Sequence, residues 1–121
     1  MNAKEFPMKK VARVITASTP ELLTYLDRII ESFDRFNTNK DNPILQEITD
    51  RFCNSLKVEV GSKYIKVVVN DSVHSFIVIK HTTKFNAGDV LMAKSWKAPA
   101  TNFARGNILT RFYPTLSWTG V

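Results

Sequence analysis

The hydrophobic period of this chain changes once, near Leu56, and that change separates a helical part from a sheet part. After Ser18-Thr19-Pro20-Glu21, apolar residues recur as Leu22, Leu26, Ile29, Ile30 and Phe33, while Asp27, Arg28, Glu31 and Asp34 take the other face. Spacings of three and four residues mark one face of an α-helix. Thr19 is a good N-cap. Pro20 suits the first helical position, where its missing N–H had no partner anyway, and Glu21 favours the positive end of the helix dipole. The helix is expected to end near Phe36, before the polar stretch NTNKDN. Asn42 and Pro43 repeat the start signal, and Ile44, Leu45, Ile48, Phe52 and Leu56 form a second stripe with Glu47, Asp50 and Arg51 facing out. A link of about six residues suits antiparallel neighbours.

Beyond Leu56 the period is two. Val58 and Val60 alternate with Lys57 and Glu59, and Gly61-Ser62 makes a turn. Tyr64 to Val69 is a β-branched run, Asn70-Asp71 a second turn, and Val73 to Ile79 a third strand. Two short turns between alternating runs predict an antiparallel meander. Asn86-Ala87-Gly88-Asp89 is a further turn, Val90 to Ala93 a fourth strand, and Leu116 to Trp118 a candidate fifth. The expected fold is α+β: two N-terminal amphipathic helices, then a small antiparallel sheet of four to five strands, with closure into an SH3-like or OB-like barrel as one form of it. Residues 1–121 read as one domain, with a leading strand or arm at 1–17, a helical pair at 18–56 and the sheet part at 57–121.

Charge sharpens this division. Residues 1–56 hold eight basic and eight acidic side chains. Residues 57–121 hold nine basic side chains against Glu59, Asp71 and Asp89, so the whole net charge of +6 lies in the sheet part. Such asymmetry points to an anionic partner met by one part of the molecule, or to a basic face that serves solubility. No apolar run approaches the roughly 20 residues of a membrane span. The apolar stretch behind the first lysines is broken by Arg13, so no signal-peptide core is read. Cys53 alone excludes an internal disulfide framework and fits a reducing compartment; beside apolar neighbours it reads as an inert thiol.

Catalytic signals are sparse. Neither His74 nor His81 has a cysteine or carboxylate at metal-ligand spacing, so no metal or other cofactor is expected. By alternation His74 shares a face with Ser72, Phe76 and Val78, opposite Val73, Ser75 and Ile77. A Cys53–His74 pair would lack an orienting third group. Gly88 and Gly106 are isolated, with no glycine-rich phosphate loop. The chain therefore reads as a non-enzyme.

Binding signals are better. In the basic loop 94–107, Lys94, Lys97 and Arg105 alternate with Trp96 and Phe103. Proteins that hold single strands combine cations that track phosphates with rings that stack on bases. Tyr64 and Lys66 share a face of the second strand and extend the candidate surface. In the rival reading Trp96 plugs the end of the sheet and Phe103 covers the core. Asn102 and Asn107 either donate to phosphates and bases or pin the loop to itself.

The words SVHSFIV, GDVL, SWKAPA three residues later, ARGN three residues after that, and a terminal SWTG resemble a group of small proteins of tailed bacteriophages, including phages of marine cyanobacteria. The pattern falls on Gly88, Asp89, Val90, Leu91, Ser95, Trp96, Pro99, Ala100, Ala104, Arg105, Gly106 and Asn107, and the resemblance covers roughly residues 57–121. It implies a viral protein made in the host bacterial cytoplasm or carried in the virion, and it implies no activity. The functional expectation is nucleic-acid binding of low sequence specificity, single strands favoured. The alternatives are a module binding a host or viral protein, a homo-oligomer, and a binder of nucleotide messengers of host defence.

Overall fold

The stripe read in the first helix forms, and it packs on a sheet built from the alternating runs. The computed structural model describes residues 14–36 and 43–121. Its elements are α1 (Pro20–Phe36), α2 (Pro43–Ser55), β1 (Lys57–Val60), β2 (Tyr64–Val69), β3 (Ser72–Val78), β4 (Asp89–Met92) and β5 (Gly106–Asn107). The expected cap Asn42 and the whole of the leading segment before Val14 lie outside the described residues, as do the side chains of Ile44 and Leu45. Val14 itself makes one antiparallel bridge to Lys80.

All strand pairings are antiparallel, in the order β1-β2-β3-β4-β5. The sheet is open: among the described residues β5 does not pair with β1, so the barrel form is not adopted. The β2–β3 hairpin turns at Asn70 and Asp71, both at positive φ (50° and 61°), as a tight turn matched to strand twist requires. Sequence patterning misplaces the last strand. The fifth strand is Gly106–Asn107, whereas Ser117 and Gly120 close a turn on each other (Ser117 N to Gly120 O, 2.8 Å). That terminal turn docks on the helices: the Trp118 N–H donates to Ser32 Oγ at 3.1 Å, and the Trp118 ring meets Phe33 edge-on at 5.2 Å.

The main core lies between helices and sheet. Leu22, Tyr25, Ile29 and Phe33 of α1 bury against Ile65, Val67, Ile77 and Val90. Tyr25 stands where the predicted stripe had only its neighbour Leu26, which is partly buried. The two helices are not alike. The second is shorter, and of its expected stripe Phe52 is buried, stacked on Phe33 at 4.1 Å, while Ile48 is exposed. A smaller cluster, Phe76, Val78, Phe85 and Leu91, fills the other face of the sheet. Among the described residues no helix covers that face. Chain segments 80–87 and 93–105 run along it, and the candidate residues lie there.

Candidate nucleic-acid interface

Residues 94–98 form a tight turn that extends the β4 edge. Lys94 N and Ser95 N both donate to Ala98 O at 3.0 Å, and Ala100 N returns to Met92 O at 2.8 Å. Pro99, bridged to Ala93, closes the excursion. The turn holds Lys94, Trp96 and Lys97 at its exposed tip. Trp96 is 47% exposed and Phe103 is 52% exposed, so neither ring is the plug or core cover of the rival reading.

The tip meets the sheet face at Lys66. Lys66 Nζ sits 4.3 Å from the Trp96 ring centroid and 3.6 Å from Glu59 Oε1. An ammonium over an indole face is attracted by the ring quadrupole. Tyr64, Lys66 and Lys97 line one open cleft of about 290 Å³ together with Lys63, Glu59 and Phe76. Alternation on β2 puts Tyr64 and Lys66 on one face, and the 94–98 turn brings Trp96 and Lys97 to them. Phe103 and Arg105 form a separate pair, with the guanidinium carbon 4.4 Å from the Phe103 centroid. Arg105 is half-buried: its Nη2 donates to Met92 Sδ at 3.5 Å, and its Nε is buried without a partner. It is held over a ring rather than extended into solvent.

A second groove, of about 380 Å³, adjoins the first and shares Lys63 and Tyr64 with it. Lys80, Lys84, Phe85 and Thr101 line it, and sequence reasoning points to none of these as site residues. The signal is present in the period of β3, which puts Phe76, Val78 and Lys80 on one face.

The Gly-Asp and Gly-Asn words serve structure. Asp89 Oδ1 accepts from Asn107 Nδ2 at 2.8 Å and its Oδ2 from Asn86 N at 2.9 Å, while Asn107 Oδ1 accepts from Leu109 N at 2.7 Å. Asn107 pins the loop and is not offered to a ligand. Asn102 Oδ1 likewise accepts from its neighbour Phe103 N at 3.0 Å.

His74 departs from the alternation. Val67 pairs with Ser75 and Val68 with Val73, so His74 is the extra residue of a bulge. Bulges re-aim side chains. Instead of joining Phe76 and Val78, His74 turns to the helix side, 6.1 Å edge-on to Tyr25. There Tyr25 Oη meets Ser75 Oγ at 2.7 Å, Ser75 Oγ meets His74 Nδ1 at 2.8 Å, and His74 Nε2 meets Ser117 O at 2.7 Å. A carbonyl only accepts, so Nε2 carries the proton. Ser75 then donates to Nδ1 and accepts from Tyr25. Ser75 is fully buried, and His74 lines a pocket of about 210 Å³ with Val73 and Trp118. With both ring nitrogens occupied, His74 does not pair with Cys53. Burial, and the nearby Asp50 and Asp34, push the Cys53 thiol up. Burial also raises the Tyr25 hydroxyl above its ordinary value.

Burial lowers the His74 pKa from the usual 6.5, and the Ser117 carbonyl only partly opposes this. The unfolded chain therefore binds the proton first. Stability from neutral His74 is fully present above 6.5 and is lost as pH falls from there through the lower folded value. The urea midpoint should drop between about pH 7 and about pH 5. In His74→Gln, which keeps a neutral donor and acceptor, that drop should shrink. An equal drop in both proteins would show that another group drives it.

Among the described residues no cluster of His, Cys, Asp or Glu could hold a metal ion, and no helix is long and apolar enough to cross a membrane. Neither the curated proteins nor the solved structures provide a match to this chain. One family model, described as a family of unknown function (DUF7717), matches residues 3–120. That span takes in both helices and all five strands, and the chain belongs to this family.

Proposed function

We propose that this protein binds single-stranded nucleic acid, without catalysis and with low sequence specificity, on the sheet face left open by the helices. The observation that carries the reading is the exposed Trp96 ring in contact with Lys66, which with Lys97 and Tyr64 lines the adjoining cleft. Lys94 and Lys97 at the turn tip, with Lys66, contact phosphates. Trp96 takes a base by stacking, with Tyr64 beside it, and Phe103 offers a second ring farther along. Arg105 chiefly holds Phe103 in place. Nothing in this arrangement reads base edges, which is why specificity is low.

The resemblance to tailed-phage proteins supports action in an infected bacterial cytoplasm or presence in the virion. Leu23 and Ile48 on the helices are exposed, and they favour a second reading in which that side of the molecule docks a host or viral protein or a second copy. A nucleotide messenger would use the same cations as a strand. Titrating a labelled oligothymidylate of about a dozen nucleotides with the protein, read by fluorescence anisotropy, tests the main reading. Saturable binding at low salt is expected, and no rise in anisotropy would end it.

A further inference from the structure

We infer that a bound strand runs past the Trp96 cleft into the second groove, where Lys63, Lys80 and Lys84 take its next phosphates and Phe85 with Tyr64 supports its next base. This rests on the single-strand reading above and extends it to Lys63, Lys80, Lys84 and Phe85, which that reading does not use.

Three observations carry the inference. First, the grooves adjoin: Lys63 and Tyr64 line both, so a strand leaving Trp96 along β2 meets the second groove next. Second, their electrostatics differ. The first cleft contains Glu59, which draws on the charge of Lys66 at 3.6 Å. The second has three lysines and no carboxylate in its lining, and among the described residues none of the three has a carboxylate partner. The potential is therefore more positive there, and a polyanion gains most by reaching it. Third, the floor is apolar and aromatic. Phe85 is largely buried beneath the groove, with Lys84 Nζ 5.7 Å from its ring centroid, and Tyr64 stands against Phe76 at 5.9 Å. A volume of about 380 Å³ lies within the range that small ligands occupy. Cations above an aromatic floor suit a nucleotide better than an acidic peptide, which would leave the floor unused.

The test compares the salt dependence of oligothymidylate binding for wild type, Lys80→Gln/Lys84→Gln, and Arg28→Gln/Arg35→Gln. The last pair removes the same charge from the exposed face of α1. On a single strand, every phosphate that a lysine no longer neutralises makes the log–log slope shallower by about 0.7. The groove variant should therefore bind with a slope shallower by about 1.4, while a dinucleotide, which fills only the Trp96 cleft, binds as before. The helix variant should keep the wild-type slope. A groove variant with a wild-type slope, beside a weakened Trp96→Ala, would overturn the extension and leave the first cleft standing. Equally shallow slopes in both double variants would reduce the groove to general charge and overturn it too. Failure of the wild type to bind would remove both readings.

Discussion

Replacing Trp96 by alanine is expected to weaken single-strand binding by about 1–3 kcal/mol, roughly 5- to 150-fold, with little change in stability. The asymmetry follows from where the ring stands. Trp96 sits at the tip of the 94–98 turn, which is closed by the backbone bonds to Ala98 and by Ala100 N to Met92 O. None of these uses the indole, so truncation leaves the backbone closure of the turn intact, and the nearly half of the residue that is exposed packs against nothing. What it does remove is the stacking surface and the seat of the Lys66 ammonium, 4.3 Å from the ring. Both losses fall on a bound strand. Anisotropy titrations beside thermal melts separate the two effects. Unchanged affinity would move the site away from the turn, and a large drop in melting temperature would return Trp96 to a structural role.

The opposite pattern is expected of Gly106→Ala, which should cost stability at the upper end of overpacking effects, about 3 kcal/mol. β5 is only two residues long, and it lies between β4 and the chain that returns at Phe112. Asn107 N donates to Phe112 O at 2.7 Å and Phe112 N to Asn107 O at 3.1 Å, which draws the two backbones together. A Cβ at Gly106 would overlap the Phe112 carbonyl oxygen and approach Tyr113 Cα to 2.8 Å. Both obstacles are backbone and cannot swing aside. Relief requires Phe112-Tyr113 to move, and Tyr113 packs edge-on against Tyr25 at 5.2 Å in the main core. Chemical denaturation should show a lower midpoint, and a variant as stable as wild type would mean that this segment is not packed as described. Gly88 meets a similar demand: its φ is +88°, and a Cβ there would lie 2.9 Å from Leu109 Cγ.

Trp96 and Gly106 mark the two sides of what the sequence makes legible. Hairpin turns and alternation place β1 to β4 within a residue or two, because period-two runs bounded by Gly-Ser and Asn-Asp leave little choice of register. β5 cannot be read that way. Gly-Asn looks like a turn, and its strand geometry comes from tertiary contact with β4 and Phe112. Leu116–Trp118 alternates as a strand would, yet Trp118 is taken by Phe33 and Phe52 of the helices. Alternation puts His74 on the wrong face because one inserted residue inverts the pattern, and no local signal marks the bulge. The Lys66–Tyr64 side of the candidate surface follows from alternation on β2. Its contact with Trp96 does not, because a turn on another strand supplies the partner. Lys80 and Lys84 are legible in the sequence only as charge, since their place in a groove depends on how the 80–87 segment folds over the sheet.

The salt dependence of single-strand binding tests the central claim most directly. If the six lysines assigned to the open sheet face each meet one phosphate, the log–log slope should be about −4, and affinity should fall roughly 300-fold between about 50 and 200 mM salt. An affinity that holds across that range, or an absence of binding at the lower salt, would contradict the account.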